Sequence, residues 1–508
     1  MEADLDNDAV AARPARTYFV RTMTLTRKLL VALGIVVLIV AGLAVYVIYG
    51  NVSDRPITAS MGTDPVLVEP DAQAFPSVSL PKPIGWVAGE KPVAAKGLTV
   101  SRFAEKLDHP RTMLTLPNGD VLVAETNSPP RQMGGIGGWV MKQFMGRVGA
   151  GAPSPDRIVL LRDADKNGTA EQRFVFREAG MASPSGLAYR DGTLYIANHD
   201  AVLAFAFEPG ATVLSGKPNK LMDLPPGGNH WMRNLLLSQD GRHLYVAVGS
   251  ASNIAENGSE EEAGRATIWE IDLAKGSRRQ FASGMRNPNG LAWNPSTGEL
   301  WATVQERDML GNDLVPDYLT NVPVGAHYGW PWIYWKDIYD DRVDNPMPVY
   351  LGEYVRKPEY ALGAHVSALG LLYSTGGNRM GESFANGAFV ARHGSWNRKP
   401  PSGYDVIFVP FDKRGNPAGK AVTVLSGFLA KDRGARGRPT WLAWDASGAL
   451  LVSDDTAGII WRVEAPGAVA STGPKAVVED SLPPQRELDA SLDRSFKMKI
   501  KKDYIEEQ

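Results

Sequence analysis

One strand–turn–strand formula recurs along this chain and restricts the available folds more than any other feature. Arg111–Glu125 reads RTMLTLPNGDVLVAE, and Ser185–Asn198 reads SGLAYRDGTLYIAN. Asn234–Gly249 is NLLLSQDGRHLYVAVG, and Asn289–Val304 is NGLAWNPSTGELWATV. Ala368–Arg392 holds ALGLLYSTGG and then FANGAFVAR, and Thr440–Asp454 is TWLAWDASGALLVSD. Each copy has an apolar strand, a Gly/Asp/Asn turn and a second strand of the form (L/V)-(L/Y/W)-V-(A/S). Apolar runs split by such turns signal hairpins. A lone hairpin cannot bury both faces, so repeated hairpins must stack. Radial stacking closes a β-propeller and leaves only short edges. Six copies, roughly 50 to 80 residues apart, predict an all-β, six-bladed β-propeller with four-stranded blades. Two successive sandwiches are the alternative, but they do not require one formula throughout.

Composition agrees. Glycine (52) and proline (36) are plentiful enough to turn many short strands. There is no cysteine, which removes disulfides, thiolate catalysis and thiolate metal sites. The net charge of −2 does not call for a nucleic-acid partner.

The N-terminal end departs from the pattern. Leu29–Tyr49 is a run of 21 residues without a charge. At about 1.5 Å per residue it spans roughly 30 Å, the thickness of a bilayer core. Arg13, Arg16, Arg21, Arg27 and Lys28 precede it, and only Arg55 follows closely. The positive-inside rule then places 1–28 in the cytoplasm and 29–49 across the inner membrane as a single-pass anchor, with the rest in the periplasm. Residues 50–95 read as a Pro-rich tether, 96–465 as the propeller and 466–508 as a charged tail. Asn127–Pro155 interrupts the first blade with a Gly-rich insertion around Trp139 and Phe144.

Candidate chemistry lies at strand ends. Of seven histidines, His230, His365 and His393 sit next to strand ends in three different repeats. Corresponding strand ends of a propeller converge on one mouth of the central channel. Arg286 and Asn287, in SGMRNPNG, stand before another strand, and Arg392–Arg398 and Arg436–Pro439 are basic clusters of the same kind. Guanidinium forks pair carboxylates, so several around one channel suit a polyanionic ligand. Gln305–Asp317 is acidic and irregular, as a hard cation such as Ca²⁺ would need. Asp163-x-Asp165-x-Asn167-Gly168 starts like an EF-hand loop, but Phe174 stands at the twelfth position, so it reads as a hairpin turn.

These pieces carry a family likeness. PRTMLTLPNGDVLVAET, NHWMRNLLLSQDGRHLYVAVGSASN, GMRNPNGLAWNP, ERDMLGNDLVPDYLT, GAHYGWPW, HGSWNR and GRPTWLAWDASGALLVSDD follow in order within about Leu98 to Val463. Together they resemble the quinoprotein sugar dehydrogenases of the soluble glucose dehydrogenase type, most closely the sorbosone dehydrogenase branch. The resemblance implies a six-bladed propeller holding pyrroloquinoline quinone (PQQ) and Ca²⁺. It implies His230 as general base and Arg286 and Asn287 at the quinone carbonyls. It implies Asn229, His365, His393, Arg398, Arg436 and Arg438 as further cofactor contacts, and Glu306, Asp308 and Met309 as the calcium turn. Asn229 stands where the glucose enzymes have an acidic residue, and Asn312-Asp313-Leu314 replaces their acidic triplet. The function so implied is oxidation of an aldose or aldosulose, a sorbosone-like aldehyde or hemiacetal. Electrons would pass to a quinone or cytochrome of the respiratory chain. The rival expectations are a calcium-dependent propeller lactonase and a non-catalytic binding scaffold.

Overall fold

The computed structural model describes residues 24–73, 77–129, 146 and 152–476. Most of the predicted insertion and the last part of the tail lie outside the described residues. Two units emerge, Met1–Gly50 and Asn51–Gln508. In the first, an α-helix runs over Leu25–Tyr49. It starts one turn before the predicted span and takes in Arg27 and Lys28. Leu25–Tyr46 is long and apolar enough to cross a membrane, with mean hydropathy 2.9.

The second unit is a six-bladed β-propeller of antiparallel sheets. Blade 1 comprises Pro110–Thr115, Val121–Glu125, Arg157–Arg162 and Gln172–Arg177. Blade 2 comprises Gly186–Arg190, Thr193–Ala197, Ala201–Ala206 and Asn219–Asp223. Blade 3 comprises Leu235–Leu237, His243–Val248, Thr267–Asp272 and Arg278–Ser283. Blade 4 comprises Asn287–Trp293, Leu300–Gln305, Pro316–Asn321 and Tyr360–Ala364. Blade 5 comprises Ala368–Tyr373, Gly387–Arg392, Asp405–Pro410 and Val422–Ser426. Blade 6 takes Pro439–Trp444, Leu450–Asp454 and Ile459–Glu464 from the end of the domain, and its outer strand, Thr99–Ala104, from the start. This pairing of the two ends closes the ring, and the innermost strands neighbour one another all the way round.

The predicted hairpins are the two inner strands of each blade, and their alternation explains the stacking. In blade 1, Val121, Val123, Val159 and Leu161 pack on blade 6 beside Leu451 and Ile460. The intervening Leu122, Ile158, Leu160 and Phe176 pack on blade 2 beside Leu194, Ile196 and Phe205. Successive side chains of a strand point to opposite faces, so each blade fills two interfaces. Six such apolar clusters lie between successive blades. Inner strands are sheet edges whose backbone groups need partners. Side chains supply them across blades: Ser185 Oγ accepts from Arg233 N at 2.7 Å, and Thr303 Oγ1 donates to Leu369 O at 2.6 Å. Gly290 permits this approach, since a Cβ there would lie 2.5 Å from Leu369 O.

The stretch read above as a tether lies against the propeller. Met61–Gly62 adds a fifth strand to blade 4 and Val93–Ala94 a fifth to blade 5. Between them, Asp71 N and Gln73 N donate to the carbonyls of Leu310 and Met309. Trp86 packs edge-on against Phe428 and Trp461 and donates to Asp454.

Candidate active site at the channel mouth

His230 rides on the loop that enters blade 3. Two arginines pin that loop by its carbonyls. Arg233 donates to Pro225 O, His230 O and Met232 O at 2.8–3.0 Å, and Arg265 to Pro226 O and Gly227 O at 2.6 and 3.2 Å. Arg233 is fully buried, and burial followed by the neighbouring Arg265 brings its pKa down to about 9. The imidazole's tautomer follows from its partners. Nδ1 lies 2.9 Å from Ser250 O and 3.0 Å from Ser250 Oγ. Ser250 Oγ spends its proton on Ser252 O, so both groups accept from Nδ1–H. In the neutral ring the basic electron pair is therefore on Nε2.

Asn287 stands beside it. A Cβ on Gly249 would fall 2.2 Å from Asn287 Oδ1 and 2.6 Å from His230 Cβ, so glycine is what lets the two meet. The amide's orientation is fixed through Gln305, which donates to Ala368 O and must therefore accept from Asn287 Nδ2, at 2.9 Å. Asn287 Oδ1 is left buried without a partner among the described residues. Such a group calls for a donor from a ligand.

Arg286 is also buried. It donates to Asn253 O at 3.2 Å, Glu306 O at 2.6 Å and Asp308 Oδ2 at 3.0 Å. One bond from each terminal nitrogen leaves a further N–H on both. Asp308 gives its other oxygen to His365 Nδ1 at 3.1 Å, and His365 Nε2 faces Gly311 O at 2.9 Å. Burial alone would raise the Asp308 carboxyl, but Arg286, His365 and His230 hold it below its ordinary value. Burial opposes charge on His365, yet Asp308 and the Gly311 carbonyl raise its pKa. With an acceptor at each nitrogen, His365 is a structural cation and not a base.

The opposite side of the mouth is built by blades 5, 6 and 1. Arg438 donates to His393 O at 3.0 Å and Gly394 O at 2.9 Å and lies over the Tyr404 ring. Among the described residues no carboxylate lies within ion-pair distance of it. His393 Nε2 lies 3.0 Å from Asp455, which also pairs with Arg111. Burial and Arg438 bring His393 down to about 4 against the pull of Asp455. Burial works against the Asp455 charge, but His393, Arg111 and Arg438 hold its carboxyl far below the usual range. Trp231 and Met232 span the two sides. Arg111 sits 5.5 Å from the Trp231 ring centroid and its Nε 3.3 Å from Met232 Sδ, while both residues pack with Leu369.

Thus His230, Arg286, Asn287, His365, His393 and Arg438 belong to one network of contacts around the mouth. Asn229 is exposed beside His230. Arg398 and Arg436 bind elsewhere: Arg398 pairs with Asp313 and donates to Arg55 O, and Arg436 pairs with Glu90 beside Trp86. Arg111, Trp231, Ser250 and Asp455 were not singled out from sequence. Arg111 and Asp455 occupy strand ends like those of His393 and Arg438, which is the signal that would have found them.

The resemblance also implied a quinone and a calcium ion. The quinone's acids suit Arg438, which lacks a carboxylate among the described residues, and its quinone oxygens suit the spare N–H groups of Arg286, while Asn287 Oδ1 takes a hydroxyl or N–H donor. The turn Glu306–Met309 does not fit the metal. Glu306 accepts from Arg307 N and Nε, Asp308 has both oxygens occupied, and all three carbonyls already accept from guanidiniums. The hairpin turn at Asp163 joins two strands of blade 1, and Asp163, Asp165 and Glu171 there bring carboxylate oxygens within 4.8 Å of one another.

Fold and site define a six-bladed propeller with a cation-lined, histidine-bearing mouth. The TrAA12-like family matches residues 158–321 and 352–466, more than half of the chain, and the chain belongs to that family. A pyrroloquinoline quinone-dependent pyranose dehydrogenase of Coprinopsis cinerea is 33% identical over 294 residues, covering 46% of this chain and 39% of that protein. The chain thus spans about two fifths of that relative's length. A structure of a Trichoderma reesei protein of carbohydrate-active enzyme family AA12 superposes with TM-score 0.60 at 20% identity, covering 74% of this chain and 97% of that one. The holo form of the PQQ domain of the Coprinopsis cinerea pyranose dehydrogenase gives TM-score 0.58 at 19% identity, covering 76% and 100%. At these identities the two superpositions establish the fold.

Proposed function

We propose that this chain is a quinoprotein dehydrogenase that oxidises an aldose or aldosulose, of which sorbosone is the model substrate. The observation that carries the reading is the pairing of His230, held with its base on Nε2, with the unpartnered Asn287 oxygen at one side of a mouth whose other side holds Arg438 without a counter-ion. PQQ would be held at its carboxylates by Arg438, itself anchored on His393 O, and at its quinone oxygens by Arg286, and when bound it supplies a two-electron hydride acceptor. His230 Nε2 takes the proton of the substrate's C1 hydroxyl, or of a hydrated aldehyde. Ser250 keeps the ring oriented while Nε2 is protonated, since both Nδ1 partners accept. Arg286 holds positive charge where oxyanion character develops, and its bonds to Glu306, Asp308 and Asn253 fix it there beforehand. Asn287 Oδ1 accepts from a ligand hydroxyl or N–H.

The activity for which the Coprinopsis cinerea relative is named supports the cofactor and the sugar substrate. The helix Leu25–Tyr49, with basic residues before it, supports a single-pass anchor in the inner membrane and a propeller in the periplasm. There the electrons would leave to a quinone or cytochrome of the respiratory chain. The test is dye reduction by the purified chain with and without PQQ, across aldoses, sorbosone and lactones. Quinone-dependent reduction is expected; lactone hydrolysis without quinone, or inertness of the folded protein, would sink the reading.

A further inference from the structure

The calcium turn implied by resemblance carries its own cations. Both lone pairs of two key carbonyls are taken. Asp308 O accepts from Arg342 Nη1 at 3.1 Å and from Asn253 Nδ2 at 3.0 Å. Met309 O accepts from Arg342 Nη1 at 3.1 Å and from Gln73 N at 3.0 Å. A carbonyl has two lone pairs, so neither has one left for a metal. The third, Glu306 O, accepts from Arg286 at 2.6 Å.

Arg342 does not reach this turn by chance of a flexible arm. Its Nε and Nη2 fork onto Asp340 Oδ1 and Oδ2 at 2.8 and 2.7 Å. Asp340 is buried and held from the other side by Arg307 Nη1 at 3.2 Å. The bidentate pairing fixes the plane of the guanidinium and aims its remaining nitrogen at the two carbonyls. Three carboxylates, Glu306, Asp308 and Asp340, meet three guanidiniums, Arg286, Arg307 and Arg342, and the His365 cation on Asp308, so the turn holds no uncompensated negative charge for an ion. Asp340 and Arg342 come from the long excursion of blade 4 between Pro316–Asn321 and Tyr360–Ala364.

We infer that the Arg342 guanidinium stands in for the divalent cation, and that this turn takes no calcium. Building on the quinoprotein reading, the chain would then load its quinone without calcium. The excursion from blade 4 would have the task of delivering a fixed charge to the turn beside Arg286 and His365.

The test uses the full chain carrying Asp163→Asn and Asp165→Asn, which silences the acidic cluster that the described residues offer at the blade 1 hairpin turn. Calcium chloride is titrated into it by calorimetry. No saturable binding is expected up to about 1 mM, the weak end of extracellular calcium modules. Arg342→Ala in the same background should bind calcium at least tenfold more tightly, because it frees one lone pair on each of two carbonyls and removes a positive charge from the turn. Arg342→Gln serves if the alanine variant does not fold. Calcium binding with Arg342 intact overturns the inference. So does absence of binding in every folded Arg342 variant, because Arg342 was then not what kept the ion out. Quinone uptake, followed by PQQ fluorescence in EDTA and in calcium, separates this from the functional reading. Equal affinity in the two buffers supports the inference, and a tenfold gain from calcium overturns it. Failure to take up quinone in either buffer counts against the dehydrogenase, while the calcium titration still decides the turn.

Discussion

The two sides of the channel mouth solve their electrostatics differently. On the side of blades 3 and 4, Arg286, Arg307 and Arg342 all have carboxylate partners, and His365 is a buried cation shared by Asp308 and Gly311 O. On the side of blades 5, 6 and 1, Arg438 has none, Arg111 and His393 share Asp455, and His393 is held neutral. A saturated network is rigid, and truncating one member of it leaves a buried charge unpaired. An unsaturated guanidinium awaits a ligand. On the proposed function, the first side positions groups and moves the proton, and the second captures the anionic cofactor.

Removing His230 should give the largest effect. His230→Ala is expected to lower kcat by about 10²–10⁴ while leaving quinone binding within a few-fold, as measured by PQQ fluorescence and steady-state assay. Loss of quinone binding with normal turnover of the remainder would move His230 out of the base role and erase the contrast.

Next in size is Arg438→Ala. Loss of a charge-assisted hydrogen bond of about 1.5–3 kcal/mol should weaken quinone affinity roughly 10- to 100-fold, with kcat at saturating quinone little changed. An unchanged affinity would mean that the second side is not where the cofactor's acids sit.

Gly249→Ala tests the first side without touching a polar group. The added methyl collides with Asn287 Oδ1 and His230 Cβ. Overpacking of this kind costs about 1–3 kcal/mol of stability, read as the urea midpoint. Turnover should fall with it, because the pair must separate.

The smallest effect concerns acid. Unfolded histidine titrates near 6.5, and His393 in the fold near 4, so between these values the unfolded chain binds more protons. The contribution is present above 6.5 and is lost as pH falls toward 4. His393→Asn should flatten the stability profile there by about 1.4 kcal/mol per pH unit at most. An imidazole resonance of His393 titrating above 6.5 would show that the second side stores a cation after all.

Much of this was legible beforehand. The recurrent hairpins give six blades because a strand packed on both faces is written as an unbroken apolar run between turn residues, as in Val121, Leu122 and Val123, all buried. His230, Arg286, Asn287 and Arg438 were legible because they stand immediately before inner strands, and the ring brings such positions to one mouth. Arg436 stands two residues from Arg438 and yet turns to Glu90 and Trp86, because both lie in the bend ahead of the strand that begins at Pro439, where no two-residue period holds. Ser250's hold on His230 joins a loop to the end of a neighbouring hairpin strand, and no periodicity marks it.

The amino-acid order by itself determined the blade count, the apolar run Leu29–Tyr49 and the strand ends that bear imidazoles and guanidiniums. These are local properties, set by alternation, run length and turn chemistry. Which charge meets which was decided only by closure of the ring and by the long excursion that carries Arg342 to the turn at Asp308 and Met309. Such pairings depend on atoms a few ångströms apart across blades, a distance that sequence separation does not encode.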